Sequence, residues 1–150
     1  MSRYVYLCPL RWSDLDAFGH VNNARFLTLY EEARVALMFN EASRSGLTSL
    51  AQGVVIARHE IDYLRPVDYN GDPVRIEMWV EEVRNSSFTV AYELFYDGAI
   101  ASRARSVLVP YDLTARRPRR LTPAERAFLE PYTEASAAAS QSAAGSGSSR

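Results

Sequence analysis

Between residues 54 and 111 the chain reads as a succession of β-strands joined by short polar turns. Residues 74–83 and 88–96 alternate apolar and polar side chains with a period of two, which puts the apolar ones on one face of a sheet. The β-branched and aromatic segment 54–65 and the long segment 99–111 predict two more strands, and residues 3–10 predict another. Because the turns are short, we expect consecutive strands to be antiparallel neighbours.

A different period governs residues 21–42. Four apolar residues recur there at spacings of four, three and four, which places them on one face of a long helix: Phe26, Tyr30, Ala33 and Leu37. Asn22 or Asn23 offers a side-chain oxygen that can cap the first turn of this helix. A short second helix is predicted to begin at Thr122, because a proline follows it and Glu125 completes a capping box.

One long apolar helix and five strands pack most economically as a single curved antiparallel sheet wrapped around the helix, which is an α+β fold. From residue 133 onwards the chain is nearly all alanine, serine and glycine. A segment without aromatic or large aliphatic side chains cannot offset its ordering entropy by burial. We therefore predict one domain over residues 1–132 and a disordered Ala/Ser/Gly-rich tail over residues 133–150.

The composition excludes several classes of function. The 17 basic residues, all of them arginine, and the 18 acidic residues give a net charge of −1, so the chain lacks the basic excess of a general nucleic-acid binder. Without lysine there is no Schiff-base chemistry and no Walker lysine. One cysteine and two histidines cannot form a cysteine-rich zinc site, and we expect no metal and no cofactor.

Neither end of the chain nor its interior suggests a membrane. No stretch approaches 18 consecutive apolar residues. The first residues lack the basic region, apolar run and cleavage site of a signal peptide. We therefore expect a cytoplasmic protein.

Chemistry is concentrated in the loop ahead of the long helix, which reads Asp14-Leu15-Asp16-Ala17-Phe18-Gly19-His20-Val21-Asn22-Asn23. A helix start carries backbone N–H groups without internal acceptors and a partial positive charge, so it can hold a developing oxyanion. A carboxylate just upstream can face the same point as a base or nucleophile. A carboxylate and a helix N–H are better suited to cleaving a thioester than an amide. A thiol has a pKa of about 8.5, so the thiolate leaves with little protonation.

Three segments carry a resemblance to a known family. They are Asp16-x-x-Gly19-His20-Val21-Asn22-Asn23 with Phe26 and Glu31-Glu32-Ala33-Arg34 after it, Ile61-Asp62-Tyr63-Leu64-Arg65-Pro66 followed by Gly71-Asp72, and Arg84-Asn85-Ser86-Ser87-Phe88. In their order and spacing they resemble the hotdog-fold acyl-CoA thioesterases of the 4-hydroxybenzoyl-CoA thioesterase type. The resemblance covers about residues 4–112.

This resemblance implies a hotdog fold, in which the sheet wraps a central helix, and a homodimer or homotetramer with sites at the subunit interface. It implies an acyl-CoA substrate that is hydrolysed to a free acid and coenzyme A. Asp16 matches the aspartate that acts as nucleophile or general base, and the backbone N–H of Asn23 matches the group that polarises the thioester carbonyl. His20, Val21 and Ser87 match positions that contact the substrate.

Several alternatives stay open. A hotdog domain could bind acyl thioesters without cleaving them. An acyl-carrier-protein thioesterase shares the motif but carries asparagine at the position of Phe18. A hotdog dehydratase usually has an asparagine-proline that Phe18-Gly19 does not reproduce. The basic run Arg116-Arg117-Pro118-Arg119-Arg120 is either a solvated loop or a contact to the phosphates of coenzyme A.

Overall fold

Strands and one long helix make up most of the chain in a computed structural model, which describes residues 2–134. The elements in chain order are strand β1 (Tyr4–Cys8), helices α1 (Asn23–Val35) and α2 (Ala42–Arg44), strands β2 (Val54–Tyr63), β3 (Val74–Val83), β4 (Phe88–Tyr96), β5 (Ala99–Asp112) and β6 (Arg117–Pro118), and helix α3 (Pro123–Leu129). A π-helical segment, Ala36–Glu41, joins α1 to α2 without a break. Residues 23–44 therefore form one continuous helix, called the central helix below.

The strands form one antiparallel sheet in the order β1-β3-β4-β5-β2, and the short β6 pairs with the end of β5. The central helix packs against one face of this sheet, so the fold is the hotdog-like α+β architecture that the resemblance implied. Asp97 and Gly98 connect β4 to β5 with φ angles of 51° and 76°, the positive values that a two-residue hairpin turn needs.

The expectation that consecutive strands are neighbours is wrong for β2 and β3. β2 pairs with β5 at the edge of the sheet, whereas β3 lies on the far side of β4. The connection over residues 64–73 is not a hairpin turn but a docked segment. Val67 in this connection is buried, and its carbonyl accepts the backbone N–H of Val21 at 2.8 Å. Because the connection packs against the loop ahead of the central helix, it can cross the end of the sheet.

The predicted inward faces of β3 and β4 are confirmed. Alternate side chains of both strands are buried against the central helix: Val74, Ile76, Met78, Val80, Phe88, Val90, Tyr92 and Leu94. The helix meets them with the four residues of its predicted face: Phe26, Tyr30, Ala33 and Leu37. Each large apolar side chain buried in this way contributes about 1.5–3 kcal/mol, so the contact between helix and sheet is the main source of stability.

Two hydrogen bonds fix the central helix inside this apolar contact. The hydroxyl of Tyr30 donates to Ser102 Oγ at 2.7 Å, and the guanidinium of Arg34 donates to the hydroxyl of Tyr92 at 3.1 Å. All four side chains are buried. Since leaving a buried polar group unpaired costs about 1–3 kcal/mol, these bonds favour one rotation of the helix over the sheet.

The first two residues of the predicted tail contact the body of the chain. Thr133 forms a bridge with Val80, and the carboxylate of Glu134 pairs with Arg3 at 3.1 Å. Residues 135–150 of the predicted tail lie outside the described residues. Within residues 2–134, none of the helices has the length and apolar character needed to cross a membrane.

The start of α3 encloses a fully buried carboxylate. Glu125 accepts the backbone N–H of Thr122 at 2.8 Å, and Thr122 Oγ1 accepts the backbone N–H of Glu125 at 3.1 Å, which is the predicted capping box. The guanidinium of Arg119 donates to both oxygens of Glu125 at 2.7 Å, and Ser49 donates to one of them. Burial raises the pKa of Glu125, but these hydrogen bonds outweigh it and lower that pKa to about 2.

Replacing Glu125 by glutamine should lower the free energy of unfolding at pH 7 by about 2 kcal/mol, since hydrogen bonds to charged groups contribute about 1.5–3 kcal/mol. The folded pKa lies below the ordinary value of 4.5, so the carboxylate stabilises the fold above pH 4.5. This contribution is lost as the pH falls from 4.5 towards 2. Urea unfolding of wild type and variant at pH 7 and pH 3 measures both effects.

Glu130→Gln is the matched control, because Glu130 is an exposed carboxylate near the same helix. It should change the free energy of unfolding by less than about 0.5 kcal/mol at either pH. A gap between wild type and Glu125→Gln that stays as large at pH 3 as at pH 7 would contradict the assignment of this stabilisation to the ionised carboxylate.

Candidate active site

A cleft of about 700 Å³ opens where the loop ahead of the central helix meets the end of β2. Its walls come from residues 16–23 of the loop, from Phe26 in the first turns of the helix, and from residues 63–66. The docking of the β2–β3 connection against the loop brings these segments together. Four of the five predicted site residues line this cleft: Asp16, His20, Val21 and Asn23.

A tight turn holds Asp16 at the cleft. Its Oδ1 accepts the backbone N–H of Phe18 at 2.8 Å and that of His20 at 3.3 Å, and its own N–H donates to the His20 carbonyl at 2.8 Å. Gly19 has a φ of 77°, which glycine adopts without strain. Asp16 Oδ2 accepts no hydrogen bond from any residue in 2–134. One oxygen of the carboxylate therefore maintains the turn, and the other has no hydrogen-bond donor among residues 2–134.

Asn22, and not Asn23, caps the central helix. Its side-chain oxygen accepts the backbone N–H of Ala24 at 2.9 Å, and its carbonyl accepts that of Arg25 at 2.9 Å. The backbone N–H of Asn22 itself donates to the Asp14 carbonyl at 2.8 Å. In the described part of the chain, the N–H of Asn23 has no acceptor. A donor at the positive end of a helix without a protein acceptor can bind an oxygen atom of a ligand.

His20 and Val21 occupy different positions in the cleft wall. His20 Nε2 lies 3.4 Å from a carboxylate oxygen of Asp68, and both side chains are largely exposed. Val21 is buried in the core and is held by its backbone hydrogen bond to Val67. The imidazole therefore reaches the mouth of the cleft, whereas the valine forms part of its floor.

The structure does not bring Ser87 to this cleft. Ser87 precedes Phe88, which pairs with Leu108 near the end of β5. At the cleft, Tyr63 pairs with Ser102 near the start of β5. Within one chain, Ser87 and the cleft therefore lie towards opposite ends of the sheet.

Several wall residues were not predicted from the sequence: Phe18, Phe26, Tyr63, Leu64, Arg65 and Pro66. The hydroxyl of Tyr63 donates to the backbone carbonyl of Asn23 at 2.8 Å. The guanidinium of Arg65 donates to the carbonyls of Tyr96 and Ala99, which ties the end of β2 to the β4–β5 hairpin. The motif at residues 61–66 could have indicated that these residues belong to the site. That they lie against the helix start depends on the order of the strands in the sheet, which the sequence did not predict.

Two reactive side chains, Cys8 and His59, lie away from the cleft. Burial raises the pKa of the Cys8 thiol to about 11, which disfavours the thiolate that a nucleophile needs. Burial also lowers the pKa of His59, whose Nδ1 lies 2.8 Å from Ser106 Oγ. In the part of the chain that the structure describes, no three His, Cys, Asp or Glu residues are grouped to hold a metal ion.

A smaller cleft of about 410 Å³ lies on the outer face of the sheet, and each of its three arginines pairs with a carboxylate of the same cleft. Arg3 pairs with Glu93, and Arg105 pairs with Glu81 at 2.7 Å. The guanidinium of Arg3 also covers the ring of Trp79 at 3.8 Å. The cleft at Asp16 is therefore the stronger candidate for chemistry.

The cleft at Asp16 combines three properties that acyl transfer requires. A carboxylate oxygen is available as a base or nucleophile, and a helix N–H is available to polarise a carbonyl. Apolar side chains supply a surface for the rest of an acyl group: Phe18, Val21, Phe26, Leu64 and Pro66.

Comparison with known proteins places this geometry in a family context. The model of the thioesterase-like superfamily matches residues 10–131. A predicted thioesterase from Bacillus stearothermophilus is 25% identical, with a TM-score of 0.77 over 90% of this chain and 99% of that one. A thioesterase from Thermus thermophilus, solved in complex with coenzyme A and zinc, is 31% identical, with a TM-score of 0.71 over 85% of this chain and 92% of that one. No curated protein matches the chain.

Proposed function

The chain belongs to the thioesterase-like superfamily, and we propose that it is an acyl-CoA thioesterase that releases a free acid and coenzyme A. The observation that carries this proposal is that Asp16 and Asn23 line one cleft, and that Asp16 Oδ2 and the Asn23 N–H have no hydrogen-bond partner among the described residues. The bound coenzyme A of the Thermus relative supports a CoA thioester over a carrier-protein thioester. The motifs at residues 16–23 and 61–66 support membership of the 4-hydroxybenzoyl-CoA thioesterase type.

In the proposed reaction, the Asn23 N–H donates to the thioester carbonyl oxygen and stabilises the negative charge that develops there. Asp16 Oδ2 either takes a proton from water as that water attacks the carbonyl carbon, or attacks the carbon itself to form an anhydride that water then opens. The carbon–sulfur bond breaks, and its electron pair leaves with the thiolate of coenzyme A. No general acid is needed, because the thiolate is a weak base with a conjugate-acid pKa of about 8.5.

The apolar wall supports an apolar acyl group. Phe26, in the first turns of the central helix, and Leu64, which directly follows β2, both line the cleft. Val21 forms its floor, and His20 lies at its mouth, where it would contact the polar part of the substrate. These placements support both residues as substrate contacts.

Asp16→Asn should reduce kcat for acyl-CoA hydrolysis at least about 100-fold, since a positioned base contributes about 10²–10⁴-fold. Asparagine keeps a side-chain oxygen that can accept from Phe18 and His20, so the turn should survive. The measurement is thiol release from short, medium, long and aromatic acyl-CoAs.

Asp97→Asn is the matched control, because Asp97 is an exposed carboxylate in the β4–β5 turn, and asparagine also tolerates its positive φ. It should retain the wild-type rate. A wild-type rate in Asp16→Asn would contradict the role of Asp16. Binding of acyl-CoA by the wild type without turnover at any chain length would instead support the alternative of a non-catalytic binding domain.

The edge strand β2 supports a homodimer. β2 pairs with β5 on one side only, and Val55 and Ile56 on it are 40% and 37% exposed. A long edge strand with exposed apolar side chains is a template for pairing with a second chain. Antiparallel pairing of two copies along β2 would set the Val54 end of one copy beside the Tyr63 end of the other. The cleft would then lie at the subunit interface.

Replacing both Val55 and Ile56 by arginine should dissociate this dimer, because charges on an edge strand oppose strand pairing. Sedimentation should show wild type at no less than twice the 16.9 kDa chain mass and the variant at the chain mass. Val5→Arg on β1, the other edge of the sheet, is the matched control, since Val5 is also exposed. Loss of the dimer in Val5→Arg alone would contradict pairing through β2.

Such a dimer would also bring distant groups towards the cleft. Ser87 and the arginine run lie near the end of the sheet where β2 begins, because β6 pairs with β5 at Tyr111 and Asp112 and Val54 pairs with Pro110. The second copy would therefore supply Ser87 to the substrate, and Arg116, Arg117 and Arg120 to the phosphates of coenzyme A. Arg119 does not contribute, because it is engaged by Glu125.

Replacing Arg116, Arg117 and Arg120 together by alanine should raise KM for acyl-CoA about tenfold and leave kcat within twofold, since arginine–phosphate contacts are charge-assisted. The matched substrate is the same acyl group on pantetheine, which lacks the nucleotide phosphates, and its KM should not change. An unchanged KM for acyl-CoA would show that the run is a solvated loop.

A further inference from the structure

One peptide unit at the start of the central helix is held at both of its ends. The backbone carbonyl of Asn23 accepts a hydrogen bond from the hydroxyl of Tyr63 at 2.8 Å. The N–H of the same peptide unit, which belongs to Ala24, donates to the side-chain oxygen of Asn22 at 2.9 Å. Two side chains from different parts of the chain therefore fix the plane of the peptide that directly follows the N–H of Asn23.

The position of Tyr63 is itself fixed by the sheet. Tyr63 is the last residue of β2, where it pairs with Ser102 of β5. The two residues after it both donate their backbone N–H groups to the carbonyl of Ala101, at 2.8 and 3.1 Å. Its ring packs edge-on against Phe26, with centroids 5.2 Å apart and an interplanar angle of 86°. The hydroxyl therefore reaches the helix from a rigid support.

The phenol is a donor under ordinary conditions. Burial raises the pKa of Tyr63 above the ordinary tyrosine value of 10, so the hydroxyl keeps its proton at neutral pH. A carbonyl can only accept, so the direction of this hydrogen bond is settled by chemistry. The bond therefore adds a side-chain donor to a helix carbonyl next to the Asn23 N–H, which has no acceptor among the described residues.

We propose that Tyr63 is a positioning residue that holds the first peptide of the central helix so that the Asn23 N–H points at the reacting carbonyl. The inference rests on the proposed function, because it concerns the oxyanion donor of that reaction. Donors of this kind act through their fixed orientation, and a misplacement of about 1 Å can lower a rate about 100-fold. A side chain that prevents such movement therefore affects kcat without touching the substrate carbonyl itself.

Tyr63→Phe tests this role, because it keeps the ring, its contact with Phe26 and the shape of the cleft wall, and removes only the donor. We expect kcat to fall about tenfold or more and KM to stay within twofold. Tyr69→Phe is the matched control: Tyr69 is an exposed tyrosine in the β2–β3 connection whose ring meets Trp12. It should retain both constants.

A spectroscopic measurement separates positioning from general stability. In the Asp16→Asn background the bound thioester should persist, and its carbonyl stretch should lie at a lower frequency than in water because the Asn23 N–H polarises it. Adding Tyr63→Phe should move the stretch back towards the value in water. A stretch that does not change between the two backgrounds would overturn the proposal.

Amide hydrogen exchange tests the clamp independently of activity. In Tyr63→Phe the Ala24 amide should exchange at least about tenfold faster than in wild type, while buried amides of β3 and β4 should not change. If the Ala24 amide exchanges faster and kcat is unaffected, or if neither changes, the positioning role is wrong. If the wild type hydrolyses no thioester at all, the proposed function fails, and the positioning role in catalysis fails with it, while the exchange result still decides whether Tyr63 restrains the helix start.

Discussion

A helix that starts against the core of a protein has backbone N–H groups that its own carbonyls cannot satisfy, and the candidate site depends on how these groups are distributed here. Asn22 accepts two of them, one through its side chain and one through its carbonyl. The N–H of Asn23 receives no acceptor from the described residues. Moving the cap by one residue along the chain would give this N–H a partner and remove the donor from the cleft.

The N–H groups at the helix start keep a fixed orientation only because the rest of the helix is held in place against the sheet. The bonds from Tyr30 to Ser102 and from Arg34 to Tyr92 fix its rotation over the sheet, inside a contact of large apolar side chains. The hydrogen bond from Val21 to Val67 then fixes the loop that precedes it. Stability and site geometry therefore share the same contacts, and groups placed on such packed elements hold their orientation better than groups on free loops.

Local patterns in the sequence predicted the helices and strands. They did not predict the order of the strands in the sheet, because that order depends on contacts between residues far apart in the chain. The four-three-four spacing from Phe26 to Leu37 fixed the buried helix face, and the Asp97-Gly98 turn identified the β4–β5 hairpin, because each signal lies within a few residues. The pairing of β2 with β5 depends on a docked connection, so no local pattern reports it. The contact of Tyr63 with the helix start follows from that pairing, which is why the sequence placed Asp16 and Asn23 at the site but not Tyr63.

The two oxygens of Asp16 explain how so small a set of groups can serve both structure and chemistry. Oδ1 accepts two backbone N–H groups and holds the turn, so the carboxylate is oriented before any ligand arrives. Oδ2 accepts no hydrogen bond from the described residues, and the proposed reaction uses this oxygen as base or nucleophile. Asp16 is the one acidic side chain among the described residues that line this cleft. A single carboxylate and a single helix N–H in one cleft suit a leaving group that departs unprotonated, which a thiolate does and an amine does not.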